Sequence, residues 1–124
     1  MTRYRLELLQ WYALFGGSLA WAAQHVASFA IGDAGCHVVD RQWGLPLATL
    51  QTFVCVAAIL LILAAEAAAY VVYRETSAAT KDSPGPAGRM HFFAQASLVG
   101  NVLMLALVAL QFAGTLYHLP CHQG

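Results

Sequence analysis

Three long stretches without a charged residue dominate the pattern of hydrophobic and polar positions along this chain. They run from Leu8 to Ile31, from Leu45 to Ala65 and from Phe92 to Leu119. Each is at least as long as the roughly 18 to 20 residues that a helix needs to cross a hydrocarbon core about 30 Å thick. A soluble helical protein would cover its core with polar helix faces, and these stretches have almost none. The pattern predicts an all-α integral membrane protein with three transmembrane helices.

Flanking residues set the expected ends of the three helices. We predict spans at about residues 8–31, 47–73 and 92–118 of a single domain, residues 1–124. Gly32, Asp33 and Gly35 are turn formers and indicate that a loop, residues 32–44, begins directly after the first span. Residues 74–91 contain the sequence Ser-Pro-Gly-Pro, which cannot continue a helix, and are predicted to be a hydrophilic cytoplasmic linker.

Charge decides the expected orientation. Only 10% of the residues are charged, against about 25% in ordinary soluble domains, and the net formal charge is zero. Five of the six Lys and Arg residues lie before the first span or between the second and third, and Arg41 is the exception. Short loops rich in these residues stay cytoplasmic. We therefore expect the N-terminus inside and the C-terminus outside the inner membrane of a bacterium, with no nucleic-acid partner.

The start of the chain has some features of a secretory signal peptide. A basic lead, Met1 to Arg5, precedes the apolar run, and small residues surround Trp21. The apolar run continues to Ile31, however, well beyond the usual apolar region of a signal peptide. We therefore favour a retained transmembrane helix over a cleaved signal.

Polar residues inside the spans recur at helical spacing and are candidates for packing within the bundle or against a partner. They are Trp21, Gln24, His25, Ser28, Glu66, Asn101 and Gln111. A polar stripe should face protein, because an unpaired polar group is costly in lipid. Three helices make a small bundle that leaves much of such a stripe exposed, which favours a subunit of a larger assembly.

Counting residues from the membrane ends, at 1.5 Å of rise per residue, assigns these polar groups to two depths. The predicted outer layer contains His25, Cys55 and Gln111. The predicted inner layer contains Gly16, Gly17, Glu66 and Asn101. Each layer is open to two interpretations, a hydrogen bond between helices or a contact with a partner protein.

Cysteine and histidine residues gather on the predicted outer side. Cys36 and Cys121 are candidates for a disulfide, because both are expected in the oxidising compartment. The alternative is a copper or zinc site that also uses His37, His118 and His122. Haem b with His25 and His118 as axial ligands is a weaker alternative, because their predicted depths differ by about 9 Å of helix rise.

No catalytic motif is recognisable in the sequence. It contains no zinc-protease helix and no phosphate-binding glycine loop, and no set of Ser, His and Asp indicates a nucleophile. Glu66 could serve a proton or ion path, as carboxyl groups inside membranes often do, but one carboxyl group is too little for a transporter. We therefore predict that the protein is not an enzyme.

Residues in the predicted first helix and the following loop resemble a pattern found in a known group of proteins. Ala20-Trp21, Gln24-His25, Ser28 and Cys36-His37 resemble the pattern of small three-span bacterial membrane proteins that accompany haem–copper terminal oxidase or oxidase-assembly genes, with a weaker similarity in the third helix. The resemblance implies a small subunit or assembly factor of a respiratory complex, and it carries over no catalytic residue.

Two functions follow as expectations. The first is a non-catalytic accessory or assembly subunit of a bacterial inner-membrane respiratory complex, without a cofactor and with partner subunits such as those of a terminal oxidase. The alternative is a small redox protein that binds a metal or haem through the periplasmic Cys and His residues.

Overall fold

The computed structural model describes residues 2–36, 46–78 and 85–117, and these ranges fold into three α-helices without a β-strand. Helix α1 spans Arg3–Cys36, α2 spans Leu47–Glu75 and α3 spans Pro86–Tyr117. The predicted all-α class is therefore confirmed. Among the described residues, α2 and α3 are long and apolar enough to cross a membrane.

Helix α1 ends later than its sequence indicates. Gly32, Asp33 and Gly35 were expected in a loop, but the helix continues through Cys36. Glycine costs only about 1 kcal/mol in a helix, so a tertiary contact can outweigh it. A Cβ atom at Gly35 would collide with the side chain of Leu47, the first residue of α2. Gly35 thus brings the end of α1 close to the start of α2.

Helix α3 begins earlier than predicted. The expected linker, residues 74–91, is shortened because the helix starts at Pro86, six residues before the predicted residue 92. Proline suits the first turn of a helix, since its φ is already helical and its missing N–H is not needed there. Gly85 has a φ of 105° and lets the chain turn into the helix. Pro86 therefore starts a helix within a stretch that the sequence assigned to the linker.

Small side chains fill the interior of the bundle, where each helix packs against the other two. One cluster of buried residues consists of Ala20, Ala58, Ile62 and Val108. A second consists of Ala13, Ala68 and Ala69. Alanine allows helix backbones to approach closely, which is the usual way that helices pack in membranes.

Large apolar side chains lie on the outside of the bundle. Phe29, Phe53 and Leu110 are each more than 70% exposed. Only 22% of the most apolar stretch of α2, and the same share of α3, is buried inside the protein. Core helices of a soluble protein are mostly buried, so this distribution fits helices surrounded by lipid or by other transmembrane segments.

Candidate functional site

The first polar layer is centred on Gln24, which lies inside the bundle with 2% of its surface exposed. Its Nε2 donates to Ser28 Oγ at 3.0 Å and to Cys55 Sγ at 3.4 Å. The first bond lies within α1 and the second joins α1 to α2. Gln24 Oε1 is buried and has no hydrogen-bond partner among the described residues. Gln24 therefore fixes the packing of α1 on α2 in this half of the bundle.

His25 follows directly in the chain but lies on the outside. Its Nδ1 is 3.4 Å from Oε1 of Gln111 on α3, and its ring stacks on Trp21 at 5.8 Å between centroids. A carbonyl oxygen only accepts hydrogen bonds, so Nδ1 carries the proton in this arrangement. The other ring nitrogen, Nε2, is left for a further hydrogen bond. The pair is a polar group on the surface of the bundle, and its two residues lie at one level, as their positions along the predicted spans indicate.

The second polar layer joins all three helices around Asn101, which is 3% exposed. Asn101 Nδ2 donates to the Ala13 backbone oxygen at 3.1 Å. The same side chain approaches the Glu66 carboxyl group on α2. A Cβ atom at Gly17 would collide with Asn101 Oδ1, so glycine is required for this approach. Glu66 and Asn101 thus meet at one depth, as predicted from their positions along the spans.

A third polar cluster, at the end of the bundle where α2 finishes and α3 begins, was not predicted. The Thr76 hydroxyl donates to the Val72 oxygen at 2.8 Å and lies 3.1 Å from His91 Nδ1. Because the hydroxyl proton is used on Val72, His91 Nδ1–H is the donor to Thr76. His91 also stacks on Tyr73 at 4.9 Å. No sequence signal indicated it, because His91 fell in the predicted linker.

The structure divides the predicted packing residues into a buried group and an accessible group. Gln24, Ser28 and Asn101 are buried among the three helices, where a partner protein cannot contact them. His25 is exposed, and Trp21 and Gln111 are half-buried. These three residues and the partly accessible side chain of Glu66 are the predicted packing residues that an external partner can contact.

The predicted outer cluster of Cys and His residues falls mainly outside the described ranges. Cys36 is the last residue of α1 and is half-buried. The other members, Cys121, His37, His118 and His122, lie outside the described residues, so the disulfide and the metal site stay predictions. Within the described ranges, no three His, Cys, Asp or Glu side chains come together in a way that could hold a metal ion. Cys55 is a buried free thiol.

The fold and these contacts define the class, an all-α protein with three helices, two of which are apolar enough to cross a membrane. Comparison of the chain with protein-family models, with curated proteins and with solved structures finds no match. The arguments for function therefore rest on the geometry of the bundle and on its sequence pattern.

Proposed function

We propose that the protein is a non-catalytic accessory or assembly subunit of a respiratory complex in a bacterial inner membrane, of the terminal-oxidase type. In this proposal all three helices cross the membrane, with the N-terminus inside and the C-terminus outside. The partner is a membrane-embedded protein that packs against the surface around Trp21, His25 and Gln111.

A third span is supported by the way α1 packs. It contacts α2 in the outer layer through Gln24 and Cys55, and α3 in the inner layer through Ala13 and Asn101. These contacts are separated by eleven residues of α1, about 16 Å of helix rise. Packing on α2 and α3 over this length supports placing α1 in the same membrane as these two helices. Its lower hydropathy reflects inward-facing polar residues such as Gln24.

The proposed orientation is supported by the positions of the arginines. Arg3 and Arg5 lie at the start of α1, Arg74 at the end of α2, and Arg89 at the start of α3. In an antiparallel bundle these are the same end. Positively charged residues favour the cytoplasmic side, so this end faces inward in the proposal.

The observation that carries the proposed role is the polar pair of His25 and Gln111 on the surface of the bundle. Most other polar side chains within the helices are used inside it. An imidazole acceptor on the lipid side of a membrane protein is unfavourable unless another group bonds to it. A partner helix with a hydroxyl or N–H donor would supply that bond, and the surrounding apolar surface would supply the packing.

The respiratory assignment is supported by the resemblance of residues 20–37 to oxidase-associated three-span proteins. The proposal also includes the disulfide between Cys36 and Cys121, which would tie the end of α1 to the chain that follows α3. Formation of this bond outside the cytoplasm agrees with the proposed orientation.

Gentle purification from native membranes tests the proposal. We expect wild-type protein to migrate in a complex much larger than its own 13.3 kDa, with oxidase subunits identified by mass spectrometry. A double substitution, His25→Leu with Gln111→Leu, should reduce partner recovery about 3- to 30-fold, which corresponds to about 0.6 to 2 kcal/mol for a membrane hydrogen bond. Gln95→Leu is the matched control, because Gln95 is an exposed glutamine elsewhere on α3.

Three outcomes would contradict this proposal. A wild-type protein that purifies alone would exclude the role of a subunit. A complex without respiratory subunits would exclude the respiratory assignment and keep the docking surface. A solitary protein with stoichiometric copper, zinc or haem would move the function to the predicted outer Cys and His residues.

A further inference from the structure

Glu66 is a carboxyl group within a helix that is apolar enough to cross a membrane. It lies nine residues before Glu75, the last residue of α2, which corresponds to about 13 Å of helix rise. Its Oε2 atom is buried and has no hydrogen-bond partner among the described residues. The side chain of Asn101 approaches the carboxyl group from α3. The role proposed above makes no use of this site.

Among the described residues, no Lys, Arg or His side chain forms an ion pair with Glu66. On α1, Tyr12 is a titratable side chain near this level, and its hydroxyl donates to the Leu61 oxygen at 3.1 Å. On α3, the neighbour is the uncharged Asn101. On α2, Tyr70 and Arg74 follow one and two turns later, and Arg74 Nη1 donates to the Tyr70 hydroxyl at 3.0 Å. The salt bridge found in the described ranges joins Arg3 and Glu7, near the start of α1.

The protonated form of Glu66 fits these surroundings better than the ionised form. An unpaired carboxylate in an apolar interior costs far more than a neutral acid with one unsatisfied oxygen. An amide NH2 group has two protons, so Asn101 Nδ2 can donate to Ala13 and also to Glu66, whether the latter is a carboxylate or the carbonyl oxygen of a carboxylic acid. Asn101 is itself held by its bond to Ala13 and is therefore a fixed partner in both states.

Polar side chains also lie on α2 between Glu66 and the end of the helix. Glu66, Tyr70 and Arg74 are spaced by four residues and therefore lie on one side of α2. Tyr70 and Arg74 are exposed and hydrogen-bonded to each other. This side of α2 therefore presents polar side chains between the end of the helix and the carboxyl group.

We infer that Glu66 and Asn101 form a proton-binding site inside the membrane, on the side of α2 that also carries Tyr70 and Arg74. The ligand is the proton itself. Glu66 takes it up and releases it, and Asn101 is the positioning residue that holds the carboxyl group in both states. The inference depends on α2 crossing the membrane and not on the identity of the partner complex.

Labelling with dicyclohexylcarbodiimide tests the site on the full protein in native membranes. This apolar reagent reacts with protonated carboxyl groups in apolar surroundings. The acid adds across one C=N bond, its proton passes to nitrogen, and an acyl shift gives a stable acylurea without a leaving group. We expect modification of Glu66, detected by mass spectrometry of its peptide, and none of Glu75. Glu75 is the matched control because it is an exposed carboxyl group at the end of the same helix.

The dependence of labelling on pH distinguishes proton binding from simple reactivity. Labelling of Glu66 should fall about tenfold per pH unit above the midpoint of a single titration. Asn101→Leu should shift that midpoint, whereas Gln95→Leu should leave it unchanged. Glu66→Gln should abolish the label and keep the fold, since glutamine has nearly the shape of the protonated acid.

Two results would overturn the inference. Absence of labelling at every pH between about 5 and 9 would show that Glu66 does not carry a proton in the membrane. Protection by Na⁺ or K⁺ at constant pH would show that the ligand is a metal cation. Both are measured on the wild-type protein, so they do not depend on the folding of a variant or on recovery of a partner complex.

Discussion

Replacement of Gly17 by alanine tests the packing around Asn101 most directly. The added Cβ atom would collide with Asn101 Oδ1, so either the helices separate or Asn101 turns away. Overpacking of a core costs about 1–3 kcal/mol. Turning Asn101 away breaks its bond to Ala13 and leaves a buried amide unsatisfied, also at about 1–3 kcal/mol. Either response should lower the free energy of unfolding by about 1–3 kcal/mol.

The higher helix propensity of alanine must be separated from this expected loss of stability. Alanine is about 1 kcal/mol better than glycine within a helix, so part of the loss would be hidden. Gly100→Ala is the matched control, because a Cβ atom at Gly100 meets nothing within 4 Å. The preference cancels when the two variants are compared. Gly17→Ala should therefore be about 1–3 kcal/mol less stable than Gly100→Ala.

Reversible unfolding in mixed micelles, driven by a denaturing detergent, is a suitable assay. Tryptophan fluorescence can report on it, because Trp21 packs against a buried cluster. In an Asn101→Ala background the collision is absent, so Gly17→Ala should then behave as Gly100→Ala does. The reasoning is refuted if the two glycine variants differ by less than about 0.5 kcal/mol, or if Asn101→Ala does not suppress the difference.

Two further substitutions test the core and the unpredicted polar cluster. Ile62→Ala should cost about 2 kcal/mol, the low end of the range for core truncations. The cost is at the low end because, in lipid, the truncation loses packing contacts but no hydrophobic transfer free energy. Leu60→Ala, at a position 62% exposed, should change the unfolding free energy by less than about 0.5 kcal/mol, and an equal loss at both positions would argue against the observed helix rotation. Thr76→Val keeps the side-chain shape but removes the acceptor for His91 and the donor to Val72, so it should cost about 1–3 kcal/mol in the same assay. Thr76→Ser retains the hydroxyl and should recover most of that stability, and two equally unstable variants would show that the hydrogen bonds are unimportant.

Depth within the bundle could be predicted from the sequence. An α-helix rises by a constant 1.5 Å per residue, so counting from the ends of an antiparallel bundle shows which residues lie at equal depth. This counting predicted that His25 lies at the same depth as Gln111, and Glu66 at the same depth as Asn101. The structure places each pair in contact or within close approach.

The helix ends could not be predicted, because they depend on contacts distant in sequence. Gly35 remains helical because it lies against Leu47, and its local preference for a turn is outweighed. Pro86 can end a loop or start a helix with the same φ, and its sequence neighbours do not distinguish these roles. The sequence did not predict the pairing of Thr76 with His91, because His91 was assigned to the linker and not to α3.

The sequence by itself determined the number of helices, their apolar character and the common level of the His25–Gln111 and Glu66–Asn101 pairs, because these follow from composition and from a fixed rise per residue. Tertiary structure decided which side of each helix faces inward. Neighbouring residues on a helix differ in direction by about 100°, so Gln24 and His25 cannot both face the same way. Gln24 is inside because it can bond Cys55 across the interface, and His25 is outside beside Gln111. That rotation separates the residues that hold the bundle together from those that can meet a partner, and only the packing of three helices sets it.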